Sequence, residues 1–292
     1  MNQGGKLQPQ YRQAWADCFV RYIQEYEKEG VPIWGLTIQN EPEATQKWDS
    51  CIYTANEESD FVRDYLGPTL SRNGLGHVKI IIWDHNRDQI VRRARVAYSD
   101  PEASKYIWGT GFHWYGEDKF DNLQLHHDAW PAKHLLFTEG CQEGGPHLGS
   151  WALGERYARS MINDFNRWTV GWVDWNMVLD ETGGPNHVNN LCSAPILANT
   201  QTDEVHFQSS YYYIGHFARF VDSGARRILC STTSDNLEAT GFINPDGTIA
   251  VIVMNRTGEE SSFMLEYGPS AVRCVVPEHS ISTYLVDDVS EK

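Results

Sequence analysis

Five short apolar runs, each separated from the next by a helix-length amphipathic stretch, leave this chain few folds to choose from. The first, Val31-Pro32-Ile33-Trp34-Gly35-Leu36-Thr37-Ile38, is apolar at nearly every position, as a parallel strand covered on both faces must be. The others lie at 78–83, 106–114, 133–138 and 170–175. Ahead of the first run, Tyr11, Trp15, Cys18, Phe19, Tyr22, Ile23 and Tyr26 recur at three- and four-residue spacing, one apolar stripe on a helix that ends at Gly30. Similar patterns predict helices over 55–73, 87–98, 120–130, 151–168 and 208–222. Strands joined by crossovers of helix length predict the α/β class with a parallel sheet.

Beyond 222 the pattern changes. Short alternating runs at 227–231, 237–243, 248–255, 262–265, 271–276 and 280–286 read as strands. Asn244-Pro245-Asp246-Gly247 is a hairpin turn signal between two of them. The expected organisation is an α/β domain over 1–222 and a small antiparallel β-sandwich over 223–292.

The polar residues fall where the apolar runs end. The first closes on Gln39-Asn40-Glu41-Pro42 and the second on Trp83-Asp84-His85-Asn86. The third gives His113-Trp114-Tyr115, the fourth Thr138-Glu139 and the fifth Asp174-Trp175-Asn176. In a β/α barrel those ends share one face, where active sites sit; ordinary loop polarity is the competing reading. Two carboxylates at two such ends, Glu41 and Glu139, suit glycoside hydrolysis, where one protonates the leaving oxygen and the other attacks the anomeric carbon.

Charge narrows the partners. With 24 basic against 39 acidic residues, the net charge of −15 disfavours nucleic acid and anionic membranes, which need clustered Lys and Arg. No apolar run reaches the roughly 20 residues of a membrane span, so no stable membrane insertion is expected. A neutral ligand fits better. The 11 Trp, 14 Tyr and 11 Phe could fill a core or stack on sugar rings, and composition leaves both open. Six cysteines without a CxxC pair read neither as a zinc site nor as a disulfide framework.

Taken together, these segments resemble family 30 glycoside hydrolases, in particular their glucosylceramidase-like branch. The resemblance runs from about residue 5 to 287. It is carried by Ile33-Trp34-Gly35-Leu36-Thr37-Ile38-Gln39-Asn40-Glu41-Pro42, Asp64-Tyr65-Leu66-Gly67-Pro68-Thr69-Leu70, His113-Trp114-Tyr115 and Phe137-Thr138-Glu139-Gly140-Cys141. Further matches are Gly171-Trp172-Val173-Asp174-Trp175-Asn176, Gly183-Gly184-Pro185-Asn186, His216-Phe217-Ala218-Arg219-Phe220 and Ser280-Ile281-Ser282-Thr283-Tyr284-Leu285.

The resemblance implies a (β/α)8 TIM barrel, present here from about its fourth strand to its eighth, followed by the β-sandwich. It implies Glu41 as general acid/base and Glu139 as nucleophile of a retaining β-glucosidase, with β-1,6-glucanase, β-xylosidase or xylanase as alternatives. Asn40 would bond the sugar 2-hydroxyl, Trp175 and Asn190 would contact the sugar, and Tyr115 would hydrogen-bond the nucleophile. His85 and His113 would line the site, with Asp84 and Asp174 standing behind it. Because two close negative charges disfavour each other, Glu41 is expected protonated and Glu139 ionised in the free protein. No metal and no cofactor are implied, and the partner is a β-glucoside or β-glucan. The family also leads one to expect a secreted or periplasmic location, although no signal peptide opens the chain.

Family members carry three more barrel strands, and a strand of the β domain, ahead of the region matched here. Five strands cannot close an eight-stranded barrel. The chain is therefore expected to start within the barrel, and to form an oligomer or take up a complementing segment at the open edge beside 31–38. A truncated, inactive chain that only binds carbohydrate is the competing expectation from another functional class.

Overall fold

A strand buried in a parallel sheet must be apolar on both faces. In the structure, a computed structural model describing residues 2–286, all five apolar runs contribute strands to one parallel sheet, the second and third largely buried and the first and fifth only partly so. Strands β1 (Gly35–Thr37), β2 (Lys79–Asn86), β3 (Ile107–His113) and β4 (His134–Glu139) are followed by the short β5 (Gln142–Glu143) and by β6 (Thr169–Trp172). An all-parallel sheet runs in the order β1-β2-β3-β4-β6. Among the described residues, β1 and β6 are its edges, each paired on one side. β1 is shorter than the apolar run that announces it. Pro32 has no N–H for a ladder, and Trp34 contributes only its carbonyl, which accepts from the Lys79 N–H at 3.0 Å.

The helices are α1 (Arg12–Lys28), α2 (Ala55–Phe61), α3 (Gly67–Arg72), α4 (Ile90–Ser99), α5 (Pro101–Ser104), α6 (Asp121–Ala129), α7 (Trp151–Phe165) and α8 (Ser209–Phe220). α1 buries Ala16, Val20 and Ile23. Of the predicted stripe only Ile23 is buried, Trp15 and Phe19 are partly so, and Tyr11, Cys18, Tyr22 and Tyr26 are exposed, because the face turned to the core is centred on the small Ala16 and Val20 and not on the large rings. α2 opens on a capping box: the Thr54 side chain accepts from the Glu57 N–H while the Glu57 carboxylate accepts from the Thr54 N–H. The single helix expected over 55–73 is divided by a π turn at Val62–Leu66. The reason is Pro68, which has no N–H to return to the preceding turn.

The chain forms two compact units. One runs to Gly140 and takes in Arg167–Asp174, so it holds the whole parallel sheet. Its core packs Ile80 and Ile82 of β2 with Ile23, Phe61, Leu66 and Leu70 from the helical segments.

The other unit comprises Cys141–Asn166 and the chain from Trp175 onward. It contains β7 (Val178–Asp180), β8 (Cys192–Ser193), β9 (Ile196–Asn199) and β10 (Glu204–Phe207). These were not foreseen, because such short strands carry too few residues to show a period. The six strands that the sequence does predict follow: β11 (Arg226–Ile228), β12 (Leu237–Ile243), β13 (Ile249–Asn255), β14 (Ser261–Tyr267), β15 (Ser270–Val276) and β16 (Ser280–Val286). They form the antiparallel sheet β11-β12-β13-β16 and the hairpin β14-β15. Val251, Val253, Val276 and Phe263 pack together in their core. The turn read at Asn244–Gly247 is present: the Gly247 N–H donates to the Asn244 carbonyl at 3.0 Å, with Gly247 at φ +88°.

Candidate active site

The first unit gathers its chemistry at the carboxyl ends of β1 to β4, and two bulges aim it. Between β2 and β3, Trp83 pairs with Gly111 and His85 with Phe112, so Asp84 is left without a partner in the ladder. Between β3 and β4, Phe112 pairs with Phe137 and His113 with Glu139, which leaves out Thr138. An extra residue bends its strand and redirects the side chains after it. Backbone strain concentrates at the same place. Glu41, Trp83 and Asp84 all have positive φ, at 46°, 74° and 51°, where non-glycine residues are uncommon. Two hydrogen bonds hold them there. The Glu58 carboxylate accepts from the Trp83 N–H at 2.8 Å, and the Asp84 carbonyl accepts from the Glu41 N–H at 2.9 Å.

His113 is fully buried between two carboxylates. Its Nδ1 lies 3.2 Å from Glu41 Oε1 and its Nε2 lies 3.1 Å from Asp84 Oδ1. Asp84 also accepts from the hydroxyls of Thr37 and Thr138. Glu41 has a second partner, since Gln46 Nε2 donates to its Oε2 at 2.8 Å. Glu139 is half-buried and accepts from the Tyr115 hydroxyl at 3.0 Å, as expected. One side-chain oxygen of Glu41, one of Glu139 and a ring nitrogen of His113 all lie within 4.8 Å of one another.

The electrostatics reverse the expected protonation. Burial raises His113's cost of charging, but bonds to Asp84 and Glu41 outweigh it and push its pKa up to about 9. Burial alone would also raise Glu41, yet the His113 bond and charge, with the Gln46 bond, bring it below the ordinary carboxylate range. Glu139 faces the same burial with weaker compensation and rises to about 7, the Glu41 charge adding to the effect. The free protein therefore carries Glu41 ionised and Glu139 as the more readily protonated member. The expectation from mutual repulsion was right that the two differ. It was wrong about which holds the proton, because the imidazolium sits on Glu41.

Those three carboxylates and one histidine set a pH dependence. His113's folded pKa of about 9 stands above its ordinary 6.5, so folding favours its charged form. That contribution is fully present below pH 6.5 and is lost as pH rises through about 9, a change of roughly 3 kcal/mol. Urea unfolding from pH 6 to 10 is expected to show this decline, and His113→Gln is expected to flatten it. An unchanged slope in the variant would assign the decline elsewhere.

The structure brings Glu41, Glu139, His113 and Tyr115 together, with Asp84 bonded directly to His113. His85 is half-buried near this group, and burial depresses its pKa, so it stays neutral. Asn40 is exposed beside Glu41, and Gln39 Nε2 donates to its backbone carbonyl at 3.1 Å. Asp174 is half-buried at the end of the first unit's last segment. Trp175 and Asn190 belong to the second unit, where the Trp175 ring is exposed and the Asn190 N–H donates to Asn186 Oδ1 at 3.0 Å. Sequence reasoning missed Gln46, Glu58 and Arg93. Gln46 lies in a loop with no periodicity, and the other two lie on helices where a charged residue usually faces water.

Glu41, His113 and Glu139 are close enough to suggest a metal site. The histidine argues otherwise: a ring protonated on both nitrogens, each bonded to a carboxylate, has no lone pair to offer an ion. The cluster is built to hold and move protons.

Comparison with known proteins agrees over nearly the whole chain. A model described as the glycosyl hydrolase family 30 TIM-barrel domain matches residues 2–221, and one described as the family 30 beta sandwich domain matches 224–284. The lysosomal acid glucosylceramidase of Mus musculus is 34% identical over 98% of this chain and 59% of its own length. The crystal structure of SrfJ from Salmonella typhimurium superposes with a TM-score of 0.95 at 40% identity, covering 99% of this chain and 65% of that one. An endo-β-1,6-glucanase, BT3312, gives 0.85 at 31% identity, covering 97% and 64%. The chain thus spans less than two thirds of the length of each of these relatives.

Proposed function

The chain belongs to glycosyl hydrolase family 30, and on that premise we propose that it is a retaining β-glycosidase that hydrolyses β-glucosides by double displacement. The observation that carries this reading is the separation of the two carboxylates. A retaining pair stands about 5–5.5 Å apart, whereas an inverting pair needs about 6.5–9.5 Å to admit a water. Oxygens of Glu41 and Glu139 within 4.8 Å of each other fall on the retaining side.

In this reading Glu41 protonates the glycosidic oxygen while Glu139 attacks the anomeric carbon, forming a glycosyl ester and releasing the alcohol. Glu41 then takes a proton from water, which attacks the same carbon and restores Glu139. The proton that the free pair stores on Glu139 must move to Glu41 when substrate binds. Positive charge developing at the anomeric carbon favours an ionised Glu139, and the glycosidic oxygen favours a proton on Glu41. The His113 imidazolium makes Glu41 the stronger acid, and Asp84 keeps that imidazolium charged. Asn40 bonds the 2-hydroxyl, a contact that strengthens in the transition state.

Likeness to glucosylceramidases supports glucose as the sugar, and likeness to a β-1,6-glucanase supports a β-1,6-glucan as the second substrate to try. The test is turnover of an aryl β-glucoside, a β-1,6-linked gluco-oligosaccharide and an aryl β-xyloside, followed by proton NMR. The expected result is preference for the glucoside with β-glucose as the first product. An α anomer formed first would overturn the mechanism, and absence of turnover on all three would favour a chain that only binds sugar. Oligomeric state is measured alongside, because the unpaired edges of β1 and β6 invite association with a second copy.

A further inference from the structure

Cys141 and Cys192 are 51 residues apart in the chain, yet their sulfurs stand 3.2 Å from each other in the interior of the second unit. Local geometry holds them in place. β5 and β8 pair antiparallel, Gln142 with Ser193 and Glu143 with Cys192, which puts the Cys141 and Cys192 side chains on one face. The Gly144 and Gly145 N–H groups both donate to the Leu191 carbonyl, and the Cys192 N–H donates to the Gly183 carbonyl at 2.9 Å. The Ser193 hydroxyl ties the same strand to the Pro146 carbonyl at 2.6 Å. The thiols form a short chain of their own, Cys141 S–H to Cys192 Sγ and Cys192 S–H to the Asn190 carbonyl at 3.8 Å. A disulfide needs about 2.05 Å between sulfurs, so modest rotation about the two Cα–Cβ bonds suffices.

We propose that Cys141 and Cys192 are a modification site: a dithiol that hydroperoxides convert to an intramolecular disulfide. Both sulfurs are buried, which favours an oxidant as small as hydrogen peroxide. Cys141, the more exposed of the two, is oxidised first, its thiolate taking one peroxide oxygen to give a sulfenic acid while the other leaves as water. The Cys192 sulfur then attacks the sulfenic sulfur, the S–O bond breaks, and a second water departs with the thiol proton. Two thiols and one peroxide thus give one disulfide and two waters. The product joins the chain two residues after Glu139 to the chain two residues after Asn190. It would staple the 183–192 segment to the Cys141–Glu143 segment within the second unit. Any consequence for catalysis rests on the reading above, whereas the cross-link itself does not.

The test is peptide mapping of the full chain after limited hydrogen peroxide and alkylation. The expected result is one cross-linked peptide pair containing Cys141 and Cys192, reversed by dithiothreitol. Cys192→Ala is expected to leave Cys141 as a sulfenic acid that dimedone labels, and oxidation of the unaltered chain is expected to slow amide hydrogen exchange at 188–191. Recovery of both cysteines singly alkylated, or separately over-oxidised, would overturn the proposal. None of these readouts requires turnover, so they are independent of whether the chain hydrolyses a glucoside.

Discussion

Glu139→Ala is expected to lower turnover of an aryl β-glucoside by on the order of a millionfold, the scale seen when a covalent nucleophile is removed. The geometry sets that expectation. Glu139 is the carboxylate held by the Tyr115 hydroxyl at 3.0 Å, while the other carboxylate of the cluster, Glu41, is engaged by His113 and Gln46. Small anions can occupy the space that its side chain vacates. Azide is expected to restore turnover and to give the α-glycosyl azide, because it attacks from the face opposite the leaving group with no second inversion. Glu41→Ala removes acid and base assistance, worth about 10²–10⁴-fold, and spares the first displacement when the leaving group is a good one. Azide there intercepts the glycosyl ester and gives the β-glycosyl azide. The two azide products identify the roles independently of rate, and the opposite pairing would mean that the roles assigned to Glu41 and Glu139 are exchanged.

Arg93→Ala is expected to cost about 3–5 kcal/mol of stability, because it strands a buried charge. Glu58 is buried, and burial raises its pKa against the opposing pull of Arg93 and the Trp83 N–H. Arg93, also buried, donates to Glu58 Oε2 at 2.7 Å, to the Tyr53 carbonyl at 3.0 Å and to Glu43 Oε1 at 3.2 Å, and its guanidinium lies over the Trp83 ring. The other oxygen of Glu58 holds the N–H of Trp83, one of the two left-handed residues that put Asp84 on His113. Losing Arg93 therefore weakens the fold and loosens the support of the site together. Against a total of about 5–15 kcal/mol for a domain, the loss is large. Urea midpoints measure it, and the deficit is expected to shrink at acid pH as Glu58 takes up a proton. A loss below about 1 kcal/mol would class the pair with exposed ion pairs. The double change Glu58→Gln with Arg93→Met removes both charges and is expected to recover much of the stability.

What the sequence determined by itself are the features whose cause is local. A strand covered on both faces must be apolar at almost every residue, so Ile33–Ile38, the runs at 78–83 and 133–138 and their like were legible without a partner in view. The helix ending at Gly30, though not its buried Ala16 and Val20, the hairpin at Asn244–Gly247 and the strand-end positions of Glu41 and Glu139 follow the same logic. Those positions are consequences of where each strand stops. Tertiary structure alone decided what depends on neighbours remote in the chain. His113 meets Glu41 across 72 residues and Asp84 across 29, and that contact, with no signature in either segment, determines which carboxylate carries the proton. The bulges at Asp84 and Thr138, the Gln46 bond to Glu41 and the Cys141–Cys192 contact are of the same kind. Protonation and reactivity respond to charges and atoms a few ångströms away in space, and only the folded chain brings those within reach.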